Sequence, residues 1–250
     1  TNRNKLISLA VKYNGDLNTI KKAIVRGEGD PNFELENCIT VLDEEYPKEL
    51  LDLKDFPLVL FYKGNLDLLK ARSIAVIGSR QPCEYSKNAT REFVQNQNNK
   101  VIISGLAKGI DTIAHNNANK TIAVLGCGID YIYPYKNKEL YEKIAKEGLI
   151  LSEYPFKHEP TQAYFLRRNR IVAALAEEIF VMEAKKNSGT ISTINHALAC
   201  KRKITVLPQP LTNKDCINNN LISGGANILT SLEEELWVQT LTKDSMEQSL

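Results

Sequence analysis

Cysteine is scarce in this chain and never paired. Cys38, Cys83, Cys127, Cys200 and Cys216 are odd in number, scattered and without a CxxC motif, which excludes a disulfide framework or a zinc ribbon. Histidine is limited to His115, His158 and His196, with no metal-ligand spacing, so neither a metal nor another cofactor is expected. No apolar run approaches the roughly 18 residues of a membrane helix and no signal peptide is visible, so the expectation is a cytoplasmic protein without a membrane partner. A surplus of one charge is missing too. The 32 Lys and Arg stand against 30 Asp and Glu, a net +2, so a polyanion must be met by a local cluster of cations. Three motifs are absent, and each absence removes a class of function. Without GxGxxG the dinucleotide reading is weak, since Gly126-Cys-Gly128 continues Ile-Asp-Tyr. Without GxxxxGK[ST] there is no ATP-binding loop of that type, and without GxSxG no nucleophile elbow.

What is present is an alternation of short apolar runs and helical periods. Residues 1–40 read as a small helical segment, broken at Asn14-Gly15 and ended by Gly27–Pro31. A lead-in carries one strand at Leu58–Tyr62. The regular part follows: strands at Ile74–Ile77, Val101–Ile103, Thr121–Leu125, Leu149–Ser152, Ile179–Met182 and Ile204–Leu207. Helices are expected at Glu84–Gln97, from Gly109, at Lys138–Glu147, Thr161–Glu177 and Thr190–Cys200, with another near Leu221. Such alternation predicts an α/β fold with a doubly wound parallel sheet. The expected division is 1–40, a main domain 41–238, and a polar tail 239–250.

Ligands of such sheets bind beyond the carboxyl ends of the strands. Gathered there are Gly78, Ser79 and Arg80; Ser104, Gly105, Ala107, Lys108 and Gly109; Gly126 and Gly128; and Glu183, Lys185, Lys186, Ser188 and Gly189. Small residues opening a helix offer amides to an anion, so the pattern predicts phosphate binding. Phe165-Leu-Arg-Arg-Asn-Arg170 adds three arginines that suit phosphate oxygens, with Tyr164 and Phe165 at hand to stack on a base. Arg168 and Arg170 cannot share one side of a helix. A solvated pairing of these arginines with Glu177 and Glu178 is the bland alternative. Asp111 and His115, four apart on one helix, read as a capping and packing pair, with a hydrolytic site including Ser104 as the lesser alternative for want of a nucleophile elbow.

Together the motifs Gly78-Ser-Arg80, Ser104–His115, Thr121–Asp130, Tyr133–Tyr141, Ser152-Glu-Tyr-Pro155, Arg168–Ala173 and Glu183-Ala…Ser188-Gly-Thr190 resemble the DprA (Smf) family of DNA-processing proteins, from about Tyr46 to about Leu229. The resemblance implies an extended Rossmann-like, mostly parallel sheet that binds single-stranded DNA without sequence preference. It implies a dimer that protects DNA in natural transformation and helps load the RecA recombinase, with no catalytic step. The implied DNA-binding residues are Gly78, Ser79, Arg80, Ser104, Gly105, Ala107, Lys108, Gly109, Asp111, Phe165, Arg168, Asn169, Arg170, Lys186, Ser188, Gly189 and Asn219. Two departures stand out: Leu207-Pro-Gln209 where the family commonly shows Val-Pro-Gly, and Ile217-Asn-Asn219 where it shows Gly-Thr/Ser-Asn. Residues after Trp237 are too few for the winged-helix domain that many members carry. The rival reading is a nucleoside-monophosphate-cleaving enzyme of the lysine-decarboxylase-like fold, whose phosphate loop is followed by a catalytic glutamate. The matching stretch here, Lys186–Thr193, holds no acid.

Overall fold

The structure, a computed structural model, describes residues 2–233. The expected polar tail 239–250 and the end of the main domain lie outside the described residues. Asn2 and Asp16 cap α1 (Arg3–Lys12) and α2 (Leu17–Val25), each side chain accepting from the amide three residues on. Two short strands follow, β1 (Cys38–Thr40) and β2 (Val59–Gly64). Strand and helix then alternate: β3 (Ser73–Gly78), α3 (Glu84–Gln95), β4 (Val101–Ser104), α4 (Ile110–Asn117), β5 (Thr121–Gly128), α5 (Lys138–Glu147) and β6 (Leu149–Tyr154). The second half comprises α6 (Gln162–Leu175), β7 (Glu178–Glu183), α7 (Gly189–Ala199), β8 (Lys203–Val206), α8 (Asn218–Ser223) and β9 (Asn227–Ile228).

All nine strands form one sheet in the order β1-β2-β6-β5-β4-β3-β7-β8-β9. It is parallel from β6 to β9, with β1 and β2 antiparallel at one edge. Successive residues of the central strands serve opposite cores, which is why these runs are apolar throughout. Ala75, Ile77, Ile103, Val124 and Val181 meet Ile171 and Val172 of α6 and Ile194 and Ala197 of α7. Their neighbours Ile74, Val76 and Ile102 meet Phe93 of α3 and Ile110 and Ala114 of α4. The helices expected at residues 1–40 cover the sheet as well. Leu6, Leu9 and Ile20 share a core with Ala123, Leu125 and Ile150, and β1 pairs with β2, so this segment is a layer of the sheet domain.

From β3 the chain runs outward through β4, β5 and β6, then crosses back through α6 to lay β7 on the other side of β3. The direction of winding reverses between β3 and β7, so the loops leaving those two strands splay apart. That reversal positions the site. Among the described residues no helix is long and apolar enough to cross a membrane.

Candidate functional site

A groove of about 1040 Å³ opens at the carboxyl ends of β3, β4, β5 and β7, with the first half of α6 as its far wall. Thr161 caps α6 by accepting from the Tyr164 amide at 3.3 Å, which starts the helix so that Phe165, Arg168, Asn169 and Val172 share its groove side. The rim carries the exposed cations Arg80 and Lys108 and the partly buried Lys185. Phe165 and the exposed Tyr133 lie with ring centroids 5.3 Å apart, and the Arg80 guanidinium sits 5.8 Å from the Phe165 centroid. Cations beside open aromatic faces are the ingredients for holding a nucleic-acid backbone while its bases stack. At the start of α7, Ser188 Oγ is buried without a hydrogen-bond partner among the described residues, and a side chain added at Gly189 would meet open space.

The groove brings together most of the residues expected there: Gly78 is joined by Ser79, Arg80, Gly105, Ala107, Lys108, Asp111, Phe165, Arg168, Asn169, Ser188 and Gly189. Tyr133 also lines it and was not expected, and Lys185, gathered with the residues beyond the strand ends but not among the implied DNA-binding residues, lines it too. For Lys185 the signal was its place just after a strand, and for Tyr133 its place in the Tyr133-Pro-Tyr135 stretch after β5.

Five expected residues do not line the groove. Arg170, only 1% exposed, lies on the other side of α6, where Nη2 donates to both Glu153 carboxylate oxygens at 2.8 and 2.9 Å and Nε to Asp55 at 3.1 Å. Two positions along a helix turn a side chain by about 200°, so a residue whose neighbour Arg168 faces the groove is driven inward. Asn219 clamps the β8–α8 loop instead. Its carbonyl oxygen accepts from the Gln209 amide at 3.0 Å and its Nδ2 donates to the Gln209 carbonyl at 2.8 Å. Gln209 itself fills the place of the missing glycine, donating to Ser86 and to the Met182 carbonyl. Ser104 is buried and donates to the Val76 carbonyl, while Lys186 is exposed beside the rim. Gly109 serves the turn: its φ of +79° suits glycine, and a Cβ there would strike the backbone of Ser79 and Arg80. The solvated pairing with Glu177 and Glu178 does not occur either, since those acids meet Arg72 and Lys203.

The β4–α4 loop also departs from an open phosphate cradle. Its Gly105 and Ala107 amides donate to Asp111 Oδ2 at 3.1 and 3.2 Å, so the chain's own carboxylate occupies them. Burial pushes the Asp111 carboxyl above its ordinary range, against the opposing pull of Arg168. His115 proves to be the packing residue of the two alternatives. Thr121 Oγ1 donates to the Ile102 carbonyl, so it accepts from His115 Nδ1 at 2.6 Å, and Nε2 accepts from the Leu106 amide at 3.3 Å. Both ring nitrogens are satisfied only in the neutral form, and burial, aided by Arg168, lowers this histidine to about 3. Among the described residues no group of three or more His, Cys, Asp or Glu side chains is placed to hold a metal ion.

Known proteins are similar to this chain in sequence and in fold. Residues 37–239 match the family model described as DNA recombination-mediator protein A. The DNA processing protein DprA of Streptococcus pneumoniae is 41% identical over 205 residues, 79% of this chain and 72% of that protein. Protein Smf of Synechocystis is 35% identical over 240 residues, which is 91% of this chain and 58% of its own length. The X-ray structure of S. pneumoniae DprA superposes with a TM-score of 0.75 at 35% identity, covering 91% of this chain and 90% of that one. DprA from Helicobacter pylori, described for its unique single-stranded DNA binding mode, superposes with a TM-score of 0.74 at 37% identity, covering 83% and 96%. On this sequence match and this fold, the chain belongs to the DNA recombination-mediator protein A family.

Proposed function

We propose that the groove binds single-stranded DNA without regard to sequence, phosphates on the rim cations and bases against Phe165 and Tyr133. The observation that carries this reading is the meeting of Arg80, Lys108 and Lys185 with that aromatic pair at the point where the sheet reverses. Cations without a sequence-reading edge favour backbone contacts, and open rings reward bases that are not already paired in a duplex. Family membership extends the proposal: a cytoplasmic homodimer that protects DNA during natural transformation and helps load RecA, with no catalytic step of its own.

The nucleotide-cleaving alternative finds less support. Asp111 is the one acidic side chain among the described groove-lining residues, and its Oδ2 is held by two backbone amides. His115 is neutral and tied at both nitrogens. Fluorescence anisotropy with oligo-dT, a mixed-sequence single strand and a duplex, each at two salt concentrations, tests the proposal alongside a free-base release assay on nucleoside monophosphates. Both single strands should bind with similar affinity, more weakly at high salt, and no base should be released. Equal or tighter binding of the duplex, or turnover of a nucleotide, would overturn it.

A further inference from the structure

The groove's most conspicuous arginine is already spoken for. Arg168 is 5% exposed, and its Nη1 donates to the Gly105 carbonyl at 2.6 Å and also to the Val124 carbonyl. Its Nε donates to Asn169 Oδ1 at 3.2 Å, and Asn169 Nδ2 donates in turn to the Gly189 carbonyl at 3.1 Å. One continuous set of hydrogen bonds therefore runs from β5 and the β4–α4 loop, through α6, to the first residue of α7. Gly105 is small for the same reason: a Cβ there would fall on the Arg168 guanidinium. The nearby Asp111 carboxylate attracts this buried charge and offsets part of its desolvation.

We propose that Arg168, with Asn169, is a positioning residue that sets the spacing between the Gly105 and Ser188–Gly189 loops, and that the charge meeting DNA phosphates comes from the rim. The inference rests on the single-strand reading above. Three of the five guanidinium N–H groups are engaged with two carbonyls and a side-chain amide and the residue is only 5% exposed, whereas Arg80, Lys108 and Lys185 have their charges at the opening. A positioning role also demands the planar fork, which a lysine ammonium does not reproduce.

The test separates a charge that touches DNA from one that places other groups. Binding of oligo-dT is titrated over a range of salt for the parent, Arg168→Met, Arg168→Lys and Asn169→Ala. Removing one cation that neutralises a phosphate makes the plot of log affinity against log salt shallower by about 0.7. The expected result is a loss of about tenfold in affinity for all three variants, with the parent's slope retained and no recovery in Arg168→Lys. A shallower slope in Arg168→Met that Arg168→Lys restores would overturn the proposal in favour of direct contact. Unchanged affinity in all three variants would overturn it as well, leaving a role in folding alone. Asn169→Ala, which removes no charge, keeps the test decisive if Arg168→Met does not fold. Failure of the parent to bind oligo-dT would instead count against the single-strand reading.

Discussion

The two sides of α6 put the same residue type to opposite uses. On the groove side, Arg168 ties loops together under an opening ringed by cations and aromatic faces. On the other side, Arg167 and Arg170 converge on the buried Glu153, and Arg170 also meets Asp55. One side anchors the helix so that the other can present Phe165 to solvent at a fixed height. The difference teaches that an arginine-rich stretch does not measure how much positive charge a site offers. Burial and the partners of each guanidinium decide that.

The largest effect that would test this contrast is on stability. Arg170→Met leaves Glu153 buried with its bidentate partner gone, and calorimetry should find the protein about 3–5 kcal/mol less stable. DNA affinity of the folded fraction should keep the parent's salt slope. A shallower slope would move Arg170 to the groove.

The buried support of the β4–α4 loop should announce itself through pH. His115 is lowered in the folded protein to about 3 from its ordinary 6.5, so its contribution to stability is fully present above pH 6.5 and is lost as pH falls toward 3. The loss is roughly 1.4 kcal/mol per pH unit at most. Asp111 has the opposite sign: raised in the folded state, it favours the folded protein as acid is added. The decline is therefore read between pH 6.5 and 5, above the range of ordinary carboxylates. Thermal unfolding should show it in the parent and lose it in His115→Gln, and a parent whose melting temperature is flat over that window would contradict a neutral, doubly bonded His115.

At the rim the expected changes are in binding rather than in stability. Arg80→Ala should leave the melting temperature within about 1 °C, as surface changes usually do. It should flatten the salt dependence of oligo-dT binding by about 0.7. The smallest effect is expected at Gly189, where an added methyl meets nothing within the protein. Gly189→Ala should change stability by about 0.5 kcal/mol or less, yet weaken DNA binding if a strand passes close over the start of α7. Unchanged binding would place the strand farther from that turn.

Much of this is legible in the chain itself. The central strands, being apolar on both faces, and the helices between them declare a doubly wound sheet, and most residues singled out after the strands line one groove. The short elements are not legible: Cys38–Thr40 and Asn227–Ile228 span three and two residues, too few for any period to register. Glycine misleads in part. At Gly105 and Gly109 the missing side chain makes room for Arg168 and for the Ser79–Arg80 backbone rather than for a ligand. Sequence places Arg170 on DNA because its true partners, Glu153 and Asp55, lie 17 and 115 positions away, beyond what local spacing reveals. Tyr133 is in view but unassigned, because only folding brings the loop after β5 beside Phe165 at that opening.

The most direct test of where DNA lies is photo-cross-linking of a bromodeoxyuridine-substituted single strand to the unaltered protein, followed by peptide mapping. Adducts at Phe165 and Tyr133, suppressed by unlabelled oligo-dT, are the expected result. Adducts confined to the opposite end of the sheet, around Leu68–Arg72, would contradict the groove as the binding site.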